Sequence, residues 1–344
     1  MRTSLREYLE TWAGEDDTCR AVAAVIGAVA DGARQLADFV ALGSLAGQVE
    51  EVVGRNVAGD VRKAVDMRAH ELFHELLERT PSVAAMASEE ADEPVLVHPG
   101  APLAVAIDPL DGSNNTDVNA AVGSIFGILP ARGPTLVRTF LQPGTAQLAA
   151  GFTLHGPQTT LVLTVGLGTD VFTLDRRTGE FILTAPRIKL PAGRNEFAIN
   201  ASNYRHWDSA MRTYFDDRIA GASGPRGADY NMRWSGCAVA EAYRILRRGG
   251  VYLYPADKRP SLRSGRLRLI YEANPIAFCV EQAGGAATNG IEPILGITPT
   301  SLHQHTPFVF GARDKVERVR NYFAGTLPLG ERSPLFGRRG LFRA

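Results

Sequence analysis

Asp108 and Asp111 stand close together in Asp108-Pro109-Leu110-Asp111-Gly112-Ser113, directly behind the apolar run Leu103 to Ile107. That run is short, continuous and partly β-branched, so it reads as a buried strand that stops at the proline. Asp108 then falls at a strand's carboxyl end, where open α/β sheets place their ligands. A turn over Pro109 would fold both carboxylates and the Leu110 carbonyl toward one point. Those are hard oxygen ligands suited to Mg²⁺ or Mn²⁺. Gly112 lets the backbone approach a ligand closely, and Ser113-Asn114 can open a helix whose N–H groups cradle a phosphate. The same residues also fit an ordinary strand-turn with Asp111 as a helix cap, so the rest of the chain has to decide.

Other carboxylates sit at comparable places. Ser88-Glu89-Glu90 end the run Val83 to Ala87, Asp60 and Asp66 lead into a helix, and Glu272 lies in Tyr271-Glu272-Ala273-Asn274-Pro275 at a strand-to-helix junction. Each alone reads as surface charge or capping. Five acidic segment ends, separated along the chain, are hard to assign to surface coincidence.

The elements that must position these groups follow from periodicity. Val22, Val25, Ile26, Val29, Leu36 and Phe39 recur at helical spacing between Asp16 and Leu42, and a second helix is predicted from about Asp66 to Arg79. Strand-like runs follow at 103–107, 122–129, 147–155, 160–165, 171–174 and 181–184, with a hairpin turn at 175–179. Strands in unbroken succession make the first lobe α+β. Beyond Pro191 strands are predicted at 197–199, 251–254 and 267–271, and helices at 206–220, 238–247 and 273–283, an α/β lobe. Pro186 and Pro191 mark a hinge near residue 190. The expected organisation is an N-terminal lobe over 1–190, a C-terminal lobe over 191–324 and a loosely held tail over 325–344.

Composition narrows the classes. The 344 residues carry 37 basic and 37 acidic side chains, so no general nucleic-acid or anionic-membrane footprint is expected, and an anionic substrate must be held by locally clustered Arg and Lys. Cys19, Cys237 and Cys279 are far apart and lack metal-knuckle spacing, which fits a reducing cytoplasm. Residues 1–15 hold no apolar leader, and neither export nor membrane insertion is expected.

Taken together and in order, Ser88-Glu89-Glu90, Asp108 to Asn115, Asn200-Ala201-Ser202-Asn203-Tyr204, Tyr252-Leu253-Tyr254-Pro255, Gly265-Arg266-Leu267-Arg268 and Tyr271 to Pro275 resemble the class I fructose-1,6-bisphosphatases. The resemblance spans roughly residues 16 to 322 and is nearest the bacterial enzymes associated with Calvin-cycle carbon fixation. It implies a sugar-phosphatase fold of alternating α/β/α/β/α layers, mixing α/β and α+β, in two lobes. It implies Mg²⁺-dependent hydrolysis of the 1-phosphate of fructose 1,6-bisphosphate, with sedoheptulose 1,7-bisphosphate as a second candidate substrate, by direct in-line attack of an activated water. By the same resemblance Glu89, Asp108, Asp111, Glu272 and the Leu110 carbonyl bind roughly two or three Mg²⁺ ions, Mn²⁺ being a substitute. Asp60 and Asp66 complete the metal site and orient water, and Glu90 is the candidate base. Asp111, Gly112, Ser113 and Asn114 line the departing phosphate. Asn200, Tyr204, Tyr254 and Arg266 hold the sugar and distal phosphate, and Arg233 reaches in from a neighbouring subunit of a homotetramer, or of a dimer.

The chain departs from the family pattern at Asn114, where a second serine is usual, at Arg266, usually lysine, and at Trp234, usually a tyrosine. Pro102, Leu103 and Pro130 fall where AMP-inhibited relatives carry Lys, Tyr and Arg, so weak or absent AMP inhibition is expected. Residues 150–180 hold no cysteine, which argues against a thiol switch there.

Other readings compete. Asp108 to Ser113 alone also fits an inositol-monophosphatase-like enzyme. His70-Glu71-Leu72-Phe73-His74 matches the H-E-x-x-H signature of zinc peptidases but has no evident third ligand. His303-Gln304-His305 reads as a loop or subunit contact, and Tyr204 to Trp207 as packing. A non-catalytic sugar-phosphate sensor would bind without turnover, yet the chain carries every carboxylate that the chemistry asks for.

Overall fold

The computed structural model describes residues 3–47, 52–55 and 61–325. Asp60 and the tail from 326 onward lie outside those residues. An eight-stranded sheet runs, in spatial order, 180–185, 169–175, 159–164, 149–155, 123–130, 103–111, 83–88 and 95–96. Its neighbours are antiparallel except for the parallel pair Val83–Ser88 and Leu103–Asp111. A five-stranded sheet runs 231–233, 196–198, 251–254, 308–311 and 286–288.

Side-chain alternation along these strands sorts the core into layers. Val105, Ile107, Phe126 and Ile128 pack against Val25, Ile26 and Val29 of the helix Asp17–Leu42 and against Phe73 of the helix Ala64–Glu78. The opposite face of the same sheet, through Ile125, Phe152 and Val162, meets the helices Ala238–Arg248 and Asn274–Gln282. Those two helices also take Tyr252, Phe308 and Phe310 from the second sheet. Val251, Leu253 and Val309 point the other way, onto the helices Ser209–Ile219 and Arg313–Ala324. The result is helix, sheet, helix, sheet, helix, as the resemblance implies.

Local details differ from the expectations in ways that matter for the site. The 103–107 strand does not stop at Pro109: it continues to Asp111, with a register shift between Asp108, paired with Ile125, and Asp111, paired with Gly123. The carboxylates therefore sit on a bulge within a strand, not on a turn after one. The predicted strand 267–271 pairs only at Leu267–Arg268 and then winds into a π-turn, Leu269–Ala273. A helix at Leu5–Ala13, a strand at Phe308–Gly311 and the helix Arg313–Ala324 were not predicted. Among the described residues no helix is long and apolar enough to cross a membrane.

Candidate active site

Parallel pairing sets the first contact. Ser88 lies opposite Ile107, so the next residues, Glu89 and Asp108, emerge side by side, where the strand Val83–Ser88 ends and its neighbour begins to bulge. The Glu89 N–H donates to the Ile107 carbonyl at 3.0 Å and holds that arrangement. The bulge then brings Asp111 back to the same edge. Pro109 has no N–H to lose there, and its carbonyl accepts the Ser124 hydroxyl at 2.8 Å. Leu110 N–H donates to Asp108 Oδ1 at 3.0 Å, tying the bulge to its own first carboxylate.

From the other lobe comes Glu272, carried by the π-turn, its Oε2 accepting the Arg268 N–H at 2.6 Å. Ligand oxygens of Asp108, Asp111 and Glu272 lie within 4.8 Å of one another. The Arg268 guanidinium forms an ion pair with Glu89. Burial, and then the neighbouring carboxylates with Glu89 first, push Asp108 and Glu272 well above the usual carboxylate range. Burial likewise pushes Asp111 up to about 6, against the Val239 N–H at 2.8 Å and the Cys237 thiol at 3.1 Å, both donating to its Oδ2. Buried carboxylates this close are costly without a cation between them, and their donor atoms are all oxygen. The donor set fits a hard divalent ion.

Around this cluster opens a cleft of about 640 Å³, lined by Asp66, Glu90, Gly112, Ser113 and Asn114 on one side and by Trp234, Tyr254, Arg259 and Arg266 on the other. Asp66, in the first turn of its helix, accepts the Lys63 N–H at 2.8 Å, and burial raises its carboxyl. Glu90 is steadied by its N–H, which donates to Ser88 Oγ at 3.3 Å. Gly112 adopts φ +78°, and a Cβ there would stand 2.8 Å from that of Cys237. Ser113-Asn114 opens only a 3₁₀ turn, 113–115, so the α-helix start at this cleft is instead Cys237-Ala238, which Asp111 caps. Trp234 stacks on Tyr252 at 5.9 Å and lies tilted against Tyr254 at 5.7 Å.

Three residues that the sequence brought to the sugar are not on the cleft wall. Asn200 Oδ1 folds its own turn by accepting from Ser202 N–H and Oγ–H at 3.2 and 2.6 Å. Tyr204 donates its hydroxyl to Asp216 and packs with Trp207 and Phe215. Arg233 is exposed on the edge strand Asn231–Arg233. The cleft wall instead holds Arg259, which donates to Asn203 Oδ1 at 2.9 Å and which sequence reasoning passed over, although Asp257-Lys258-Arg259 opens a segment rich in Arg and Lys. His70 and His74 are not part of the three-residue ligand cluster; His70 Nδ1 meets Ser88 Oγ at 2.9 Å. His305 lines the cleft, and His303 Nε2 bonds the Ala91 carbonyl at 3.1 Å.

A buried all-oxygen cluster facing cationic side chains across one cleft is the layout of a metal-using phosphatase. The chain matches the models "Fructose-1-6-bisphosphatase, N-terminal domain" over residues 6–186 and "Fructose-1-6-bisphosphatase, C-terminal domain" over residues 190–324. It is 49% identical over 341 residues to a class 1 fructose-1,6-bisphosphatase of Nitrobacter hamburgensis, covering 99% of this chain and 98% of that one. With the enzyme of Sinorhizobium medicae it shares 52% identity over 335 residues, 96% and 95% of the two chains. The holo form of Leishmania major fructose-1,6-bisphosphatase superposes with a TM-score of 0.87 at 31% identity, over 94% of this chain and 99% of the other. The protein belongs to the class 1 fructose-1,6-bisphosphatase family. It is an enzyme of that family, whose members use divalent metal, so the peptidase and sensor readings fall away.

Proposed function

We propose that the chain hydrolyses the 1-phosphate of fructose 1,6-bisphosphate to fructose 6-phosphate and phosphate, with Mg²⁺ as its ion and sedoheptulose 1,7-bisphosphate as a second substrate. The observation that carries this reading is the pairing, in one cleft, of the Asp108, Asp111 and Glu272 cluster with the cations Arg259 and Arg266. Glu89, Asp108, Asp111, Glu272 and the Leu110 carbonyl are the residues that would hold the metal. When bound, Mg²⁺ supplies neutralisation of the phosphate dianion and of the departing sugar alkoxide.

The remaining work belongs to the chain's own groups. Glu90 and Asp66 accept the proton of the attacking water, with Asp60 completing the acidic set. Gly112, Ser113 and Asn114 donate hydrogen bonds to the 1-phosphate. Tyr254 and Arg266 hold the distal phosphate, and Arg233 enters from a neighbouring subunit of a homotetramer. Asn200 and Tyr204 act at one remove, by fixing the 201–206 turn. With Pro102, Leu103 and Pro130 at the positions named above, AMP inhibits weakly or not at all. The free thiols Cys19, Cys237 and Cys279 suit a cytoplasmic setting.

The test is phosphate release from both bisphosphates and from inositol monophosphate, with Mg²⁺ or EDTA, and with or without AMP. Turnover of fructose 1,6-bisphosphate that EDTA abolishes supports the reading. Turnover of neither bisphosphate, or inositol monophosphate used as readily, sinks it.

A further inference from the structure

A sugar bisphosphate brings a second dianion, and the chain must hold it at a distance from the acidic cluster. The strand Val251–Tyr254 shows where. Both tyrosines line the cleft on one face about 7 Å apart: burial and then Asp111 raise the Tyr252 hydroxyl, whereas burial raises that of Tyr254 against the opposing pull of Arg266 and Arg259. One strand thus separates an acidic end of the cleft from a cationic end by about the length of a sugar.

At that cationic end Arg259 is built in. Its Nε donates to both oxygens of Asp257 at 3.1 and 3.0 Å, and its Nη2 donates to Asn203 Oδ1 at 2.9 Å as well as to Asp257. The Asn203 side chain and Tyr254 line the same small pocket beside it. Asp257 is buried, its side chain 3% exposed, while that of Arg259 is 36% exposed and lines the cleft. The carboxylate therefore anchors from beneath and the guanidinium faces the ligand space. Among the described residues Nη1 makes no hydrogen bond, which leaves its N–H pair for an incoming oxyanion. The adjoining turn, Pro260–Leu262, places Ser261 on the same wall.

We propose that Arg259, held by Asp257 and Asn203, is a specificity-determining residue that pairs with Arg266 to grip the distal phosphate and so selects doubly phosphorylated sugars. This rests on the proposed bisphosphatase activity and names the residue that sets its preference. Two guanidinium groups offer planar forks that match phosphate oxygens, which a single cation beside an indole does not.

The experiment compares kcat/KM for fructose 1,6-bisphosphate with that for fructose 1-phosphate, in the wild type and in Arg259→Ala and Arg259→Lys, all with Mg²⁺. The ratio of the two is expected to fall about 10-fold or more in Arg259→Ala, with Arg259→Lys falling between. Product inhibition by fructose 6-phosphate, which keeps only the distal phosphate, should weaken in parallel. A loss that is equal for both substrates would show that Arg259 only supports its loop and would overturn the proposal, as would an unchanged ratio. Wild-type protein that turns over neither substrate would overturn the activity itself, a result distinct from an unchanged ratio in a working enzyme.

Discussion

Asp111 serves two structures at once. Its Oδ2 caps the helix Ala238–Arg248 through the Val239 N–H and takes the Cys237 thiol, and its carboxylate is also one of three that crowd within 4.8 Å. Burial pushes it up to about 6, and Asp108 and Glu272 move in the same direction. A raised carboxyl pKa means that the folded chain holds the proton more tightly than the unfolded chain. Its contribution to stability is therefore fully present below the ordinary carboxylate range and is lost as pH rises through about 6. A divalent ion offsets that loss only where the carboxylates are ionised. The rise in Tm produced by Mg²⁺ over EDTA is thus expected to be larger at about pH 8 than at about pH 5. His155, buried and lowered to about 4, destabilises the fold as pH falls from about 6.5, but equally with and without metal, so it cancels in this difference. Thermal denaturation at both pH values checks it; an equal Mg²⁺ shift at each would refute the cluster as the ion's site.

Elements with strong local signals were legible in the sequence and those defined by partners were not. The helix Asp17–Leu42 announced itself through its apolar stripe, and the hairpin at 175–179 through its turn residues. The bulge between Asp108 and Asp111 was invisible, because only pairing with Ile125 and Gly123 reveals that the strand continues past the proline. The π-turn at 269–273 was read as strand because Leu269, Ile270 and Tyr271 are all apolar and all buried, which removes periodicity from the pattern. The helix Leu5–Ala13 did carry a signal that went unread, the capping box Ser4 to Glu7, in which the Ser4 and Glu7 N–H groups each bond the other's side chain at 2.8 and 3.2 Å. Ser4→Ala should cost about 1 kcal/mol, lowering Tm by roughly 2 to 4 °C with KM unchanged; no shift in a denaturation scan would show that the helix is held by packing alone. At Gly112 two constraints coincide, the positive φ and the 2.8 Å approach to Cys237. Gly112→Ala should lose about 1 to 3 kcal/mol of stability and most of the activity, because the strain falls between Asp111 and Ser113. Activity near wild type would show that the bulge can relax without moving either residue.

The site exists only when both lobes are folded against each other. Glu89, Asp108 and Asp111 leave the first sheet, while Glu272, Arg266 and Arg259 belong to segments of the second lobe, and the helix Ala238–Arg248 packs between the two sheets and receives Asp111 at its start. The sequence drew notice to Glu89, Asp108 and Glu272 because each ends an apolar segment, and the family resemblance grouped them. At the sugar end one residue of register in a 3₁₀ turn decides the partner, Asn203 accepting from Arg259 and Tyr204 donating to Asp216. Arg233 remains outside, exposed on the edge strand Asn231–Arg233 beside exposed Met232, and an edge strand is open to another chain. If Arg233 completes a neighbour's site, two defective variants must rescue each other. Asp111→Asn should lower kcat about 10³-fold, and Arg233→Ala should raise KM for fructose 1,6-bisphosphate. A hybrid oligomer then holds sites in which an intact Asp111 from one subunit meets an intact Arg233 from the other. Mixing the two proteins, dissociating and reassociating them, is expected to restore wild-type KM to a fraction of the sites. Activity equal to the sum of the separate variants would place Arg233 in its own subunit's chemistry or in none.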